Sequence, residues 1–105
     1  MATTFTNVVA KNIGTTPTVI FTAAAKTTLI GCNAANTTGG TLPFSLLLRK
    51  GGVDIFIRKN KRITNGGNEE IIQGKIVMVP GDALVASAGL DNSFDVILSM
   101  LQGVP

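Results

Sequence analysis

Six side chains in this 105-residue chain can act as carboxylate acids or bases: Asp54, Glu69, Glu70, Asp82, Asp91 and Asp95. General acid–base work needs a group poised near neutral pH, ordinarily a histidine or two carboxylates in unlike surroundings. The sequence contains no histidine. Glu69 and Glu70 are neighbours, so on a strand they point to opposite faces and cannot share a proton. Asp82 follows Pro80 and Gly81 in "VPGDAL". Pro and Gly suit the two central positions of a type II turn, and an Asp beside them bonds to nearby backbone, so Asp82 reads as a turn residue. Cys32, in "LIGCNAAN", has no histidine to activate it and reads as a small buried core residue. A single cysteine without histidine excludes an internal disulfide and the common zinc and haem ligand sets. The glycines mark turns and never form a strand–GxxxxGK–helix phosphate cradle. The expectation is a protein with no catalytic residues, no metal site and no cofactor.

The basic residues pose the sharper question. Arg49, Lys50, Arg58, Lys59, Lys61 and Arg62 put six of the nine cations within fourteen positions, enough to touch a phosphate backbone. Single-stranded bases need aromatic platforms as well, and the chain has no Tyr and no Trp, with Phe56 alone interleaved among the cations. The same lack argues against a carbohydrate site, where sugars stack on Trp or Tyr. A net charge of +3 is mild beside the dense basic surface of a dedicated nucleic-acid binder. The cluster therefore reads as a solvated hairpin rim or as a docking site for an acidic protein surface. Nucleic-acid or host-surface binding through this rim is the alternative function.

The elements that carry these residues are short strands. Segments rich in Thr, Val and Ile are separated by "GTTP", "NTTGG", "KGG", "NGG", "PGD" and "GLDN", the punctuation of an all-β sandwich or barrel. Strands are predicted near residues 6–13, 18–22, 27–35, 41–50, 53–59, 70–79, 83–89 and 93–101. About eight strands in one domain over 1–105 imply an antiparallel, jelly-roll-like β-sandwich. Apolar residues make up 45% and charged ones 14%, as a packed globule requires. The apolar runs are far shorter than the roughly 20 residues of a membrane-spanning helix, and the opening "MATTFTNVVAKNIG" lacks the layout of a signal peptide. No membrane partner is expected, and synthesis in a reducing cytoplasm is.

Within "FSLLLRKGGVDIFIRK" a two-residue turn at Gly51-Gly52 sets Leu48 opposite Ile55 and Leu46 opposite Ile57 on a core face. The other face then pairs Arg49 with Asp54, Leu47 with Phe56 and Ser45 with Arg58. The last strand repeats the pattern: Phe94, Val96, Leu98 and Met100 point one way, while Ile97 and Leu101 point the other. A strand apolar on both faces needs cover on both. Leu47, Phe56, Ile97 and Leu101 are therefore candidate interface residues, with Arg58, Lys59, Lys61 and Arg62 as the candidate docking rim. Pro43, unable to donate to a ladder, suggests that its strand lies at a sheet edge.

The C-terminal half, "IFIRKNKRITNGGNEEIIQGKIVMVPGDALVASAGLDNSFDVILSML", resembles a group of small tailed-bacteriophage virion proteins. The shared pattern is a strand pair, a Gly-rich connection, an apolar segment, a PGD-type turn with "L.A.A", and a closing "DV.LS" strand. "TVIFTAAAKTTLIGCNAANTTG" is similar to their opening, so the resemblance runs from about Thr18 to Leu101. It implies a β-sandwich structural subunit of a phage virion, serving in capsid decoration or cement, neck or tail. Such a subunit is made in the host bacterial cytoplasm, joins other virion proteins and forms a homo-oligomer such as a trimer or ring. The resemblance supplies no catalytic residues to carry over.

Overall fold

Nine strands follow one another in the structure, a computed structural model that describes residues 4–102. They are β1 (Thr4–Ile13), β2 (Thr18–Thr22), β3 (Thr27–Asn36), β4 (Leu42–Lys50), β5 (Val53–Ile63), β6 (Asn68–Glu70), β7 (Ile76–Met78), β8 (Ala83–Ala88) and β9 (Phe94–Gln102). One antiparallel sheet has the order β1-β9-β3-β6, with β7 also paired to β3; the other has the order β2-β8-β4-β5. Asn33–Ala35 pair with β6 and Thr27–Leu29 with β7, while β9 runs along the opposite edge of β3. β6 and β7 thus act as one interrupted strand, and the order in both sheets is that of a jelly roll. The expected all-β sandwich is what the chain builds.

The interruption has a local cause. Ile71 and Ile72 are both buried, and adjacent residues of a pleated strand cannot both point inward. The chain leaves the ladder after Glu70, with the Ile71 amide donating to the Cys32 carbonyl at 2.7 Å, and rejoins β3 at Ile76. The single strand predicted over 70–79 is therefore two short ones.

Alternation places the core. Phe94, Val96, Leu98 and Met100 of β9 and Leu29, Cys32 and Ala34 of β3 face Phe44 and Leu46 of β4 and Leu84 and Ala86 of β8. Phe44 and Phe94 bridge the sheets, their ring centroids 5.1 Å apart at 44°, within the tilted geometries that aromatic pairs favour.

The β4–β5 hairpin turns on Gly51 and Gly52, whose φ values of 58° and 81° give the left-handed pair that a type I′ turn requires. Lys50↔Val53, Arg49↔Asp54, Leu48↔Ile55 and Leu47↔Phe56 pair as counting from that turn predicts. Beyond them Leu46 meets Arg58, because Ile57 is the extra residue of a bulge, so the expected Leu46–Ile57 and Ser45–Arg58 pairs do not form. A second bulge follows at Asn60, which holds φ 53°. Asn tolerates that region better than most residues, and the Asn60 amide donates to Ser45 Oγ at 2.9 Å.

Two other expectations change. Ile55, assigned to the core face, is 53% exposed; β5 is an edge strand, and at that edge the opposite sheet offers only the short β6 and β7. Pro43 does not mark an edge, since β4 lies between β8 and β5. It is the second residue of β4, just outside the β8 ladder that begins at Phe44↔Ala88. There its carbonyl accepts from the Gly89 amide at 3.0 Å, and no donor is required of it.

The Val79–Asp82 turn closes as "VPGD" suggests: the Asp82 amide donates to the Val79 carbonyl at 3.0 Å, and Gly81 takes φ 98°. Gly81→Val is expected to cost about 1–3 kcal/mol, the scale of a strained backbone position, and Gly81→Asn much less. Equal melting temperatures for the two variants would contradict the turn assignment.

Candidate assembly surfaces

Each of the six carboxylates has a structural partner. Asp54 takes Arg49 Nε at 2.7 Å; Asp82 takes the Val79 amide and Lys50 Nζ, each at 3.1 Å. Asp91 takes the Thr15 amide at 3.0 Å and its hydroxyl at 2.9 Å, and Asp95 takes the Asn12 amide at 3.1 Å. Glu70 accepts from the Cys32 amide, and Glu69 lies 3.7 Å from Lys61 Nζ. The Arg49 guanidinium holds Asp54 below the usual carboxylate range, the Val79 amide does so for Asp82, and the Thr15 amide and hydroxyl do so for Asp91. Burial, helped by Glu70, pushes the Cys32 thiol up to about 12, far from a reactive thiolate. Among the described residues no group of three or more His, Cys, Asp or Glu side chains is placed to hold a metal ion.

The distinctive surfaces are the outer faces of the two sheets. Paired residues share a face, so the register reads out each surface row by row. On the β2-β8-β4-β5 sheet one row crosses all four strands: Val19↔Val85, Val85↔Leu47, Leu47↔Phe56. Val85 is only 2% exposed although it points away from the core, while Phe56 at the edge is 48% exposed. Small or polar rows flank this ridge, Ala83–Arg49–Asp54 on one side and Ser87–Ser45 on the other.

The β1-β9-β3 face is apolar as well. Phe5–Leu101–Thr28–Val77 form one row and Val9–Ile97–Asn33–Glu70 another. Between them lie Asn7, Ser99 and Gly31, joined by Ile30, the extra residue of a β3 bulge, which is 40% exposed, and by the Glu70 carboxylate, which packs against Gly31. Phe5 is 75% and Val9 70% exposed, unusual for large apolar side chains on the open face of a sheet.

The interface residues expected from sequence thus all lie on outer faces, but not together. Leu47 and Phe56 sit on one sheet, Ile97 and Leu101 on the other, at opposite sides of the sandwich. The basic rim divides as well. Arg58 Nε donates to the Ile71 carbonyl at 3.2 Å and Lys61 lies beside Glu69, so these two cations tie the β5 edge of one sheet to the β6 edge of the other. Lys59 stands over the Phe56 ring, 5.2 Å from its centroid, and Arg62 is exposed.

Lys59→Ser with Arg62→Ser is accordingly expected to leave thermal stability within about 0.5 kcal/mol of the parent, the usual range for surface changes. Arg58→Ser, which strips a charged donor from a main-chain carbonyl, is expected to cost about 1.5–3 kcal/mol. A larger loss from the first pair than from Arg58 would contradict this division of the rim.

Sequence reading missed Phe5, Val9, Val19, Val77 and Val85. Phe5 and Val9 were readable in principle, since residues four apart on a strand share a face. Val85 was not, because "ALVASA" is small or apolar at every position.

No family model matches the sequence, and none of the curated proteins does. Solved structures do match the fold. A chain from Bacillus endospore appendages, described as disulfide-linked pili, superposes with a TM-score of 0.61 at 11% identity, over 98% of this chain and 89% of that one. A chain of the T13 IBDV viral particle gives 0.59 at 11% identity, over 94% of this chain but only 30% of its own length. The nucleoplasmin-like N-terminal domain of Drosophila FKBP39 gives 0.56 at 12% identity, over 98% of this chain and 92% of that domain. At such identities the likeness is one of fold.

Proposed function

We propose that this chain is a non-enzymatic structural subunit of a bacteriophage virion, placed in capsid decoration, neck or tail. It acts by packing its sheet faces and strand edges against further copies and other virion proteins. The observation that carries the reading is the apolar surface on the outer faces of both sheets: a lone subunit would leave Phe5, Val9, Val77 and Ile97 on one side and Val19 and Phe56 on the other in water. The committed carboxylates and the buried, high-pKa thiol favour a non-catalytic role. The choice of a phage rests on the sequence resemblance over Thr18–Leu101. Chains of this fold in pili and in a viral particle are compatible with a role in assembly. The nucleic-acid reading gains nothing from the rim, since Arg58 and Lys61 are engaged within the subunit.

The test is an electron-microscope image of phage particles with this chain labelled. Label at repeated, symmetry-related positions on the particle is the expected result. Label absent from particles while the chain is abundant in the cell would overturn the virion reading.

A further inference from the structure

Resting on the assembly reading above, we propose that β1 is a strand edge at which two copies of this subunit join, β1 of one pairing antiparallel with β1 of the other about a two-fold axis at Asn7. An open edge presents a row of unpaired N–H and C=O groups, and an added strand is the partner that matches their spacing.

The outer edges of the two sheets differ in how they are protected. β2 is five residues long and bulged between Val19 and Phe21. β6 and β7 have three residues each. β5 is long, but it is bulged at Ile57 and Asn60 and carries Arg58, Lys59, Lys61 and Arg62, so that pairing with its own copy would crowd cation against cation. β1 has none of these devices between Thr4 and Ala10. Those seven residues pair with Gln102 to Val96 of β9 without a shift and contain no charge, proline or glycine. Among the described residues no strand pairs with their other side, and all but Val8 and Ala10 are exposed. Natural edges are ordinarily blunted; here β1 is the long one left open.

The register follows from the pleat. Every second residue of β1 turns its N–H and C=O away from β9, and residues facing each other across an antiparallel pair belong to the same hydrogen-bonding class. In a two-fold pairing odd positions therefore meet odd and even meet even. Centring on Asn7 uses the whole regular segment: Thr4 meets Ala10 of the second copy, Phe5 meets Val9, Thr6 meets Val8, and Asn7 meets its own counterpart. Phe5 and Val9 are the most exposed large apolar side chains among the described residues, at 75% and 70%. The axis sets them across from each other twice, as aromatic–β-branched pairs of the kind that stabilise sheets. The Asn7 carboxamide both donates and accepts, so it can face itself without an unmatched group. The next register along would place Phe5 across from Lys11 and run into the bulge at Asn12, which holds φ 59°.

The contact is a strip about 24 Å long and one strand wide, short of the roughly 800 Å² per partner of a stable interface. It is weak by itself and consolidates once other contacts hold copies together and raise their effective concentration. A two-fold contact is closed, so β1 pairing joins subunits in twos and leaves no further β1 edge open.

Disulfide trapping captures such a contact, since the native Cys32 is buried and unreactive and facing residues of an antiparallel pair lie within the Cα separation a disulfide spans. Asn7→Cys, Phe5→Cys and Val9→Cys are made separately in the full chain, checked for folding by circular dichroism and oxidised mildly in concentrated solution. Asn7→Cys alone is expected to yield dimers as its main product. Phe5→Cys and Val9→Cys, although highly exposed, are each expected to stay monomeric alone and to yield dimers when mixed. Folded Asn7→Cys that stays monomeric would overturn the proposal, as would equal dimer yields from all three variants alone, the mark of chance collision. A mixture of Phe5→Cys and Val9→Cys that stays uncrosslinked overturns it independently, so the outcome does not depend on how well Asn7→Cys folds. Trapping of Asn7→Cys in particles to a different protein instead of its own copy would overturn it too. None of these results touches the subunit reading, which the labelled-particle image decides separately.

Discussion

Phe44→Ala and Phe94→Ala are each expected to lower stability by about 3–5 kcal/mol, the range for removing a large aromatic from a packed core. Both side chains are fully buried, and their contact spans the two sheets, β4 on one side and β9 on the other. Either truncation leaves a cavity midway between layers that close by little else than side-chain packing, so collapse around it is limited. The double variant should lose less than the sum of the two, with a coupling of about 0.5–1.5 kcal/mol from the ring–ring contact. Chemical denaturation of the three variants measures this. Additive losses would mean that the rings contribute volume alone.

Leu47→Ser with Phe56→Ser is expected to have the largest effect on assembly and a small one on folding. Neither side chain belongs to the buried core; Leu47 lies within the row on the outer face and Phe56 at its β5 end. Burying such a side chain fully contributes about 1.5–3 kcal/mol before the cost of association is subtracted. Losing two from one face should therefore abolish a contact of ordinary strength. Far-UV circular dichroism is expected to show an intact β-protein, with solution mass reduced to that of one chain. Unfolding of the variant would make these residues part of the folding core.

Much of the fold was legible because its signals are local. Gly51-Gly52 fixed the hairpin register outward to Leu47↔Phe56, and "VPGD" defined its own turn. Legibility ended where distant parts of the chain decide. The bulges in β5 depend on Asn60 reaching Ser45, fifteen residues away, and nothing in "IFIRKNKRI" announces Ile57 as the extra residue. The break in the strand predicted over 70–79 was foreshadowed by "II" at Ile71-Ile72, but the cavity those side chains fill is made by both sheets. Alternation likewise identified Ile97 and Leu101 as outward and apolar. It could not say that they lie on the opposite side of the molecule from Leu47 and Phe56, because sheet membership follows from the order of crossovers. The rim was misleading for the same reason: six cations in fourteen positions look like one patch, whereas the bulge at Asn60 puts both Arg58 and Lys61 on the face toward the other sheet.

Sedimentation equilibrium of the purified chain over a range of concentrations, beside the Leu47→Ser, Phe56→Ser variant, tests the proposal that neighbouring subunits cover the outer sheet faces. The parent is expected to rise above its 10.9 kDa chain mass as concentration increases, while the folded variant stays there. A parent that remains at 10.9 kDa throughout, or a folded variant that assembles as the parent does, would contradict it.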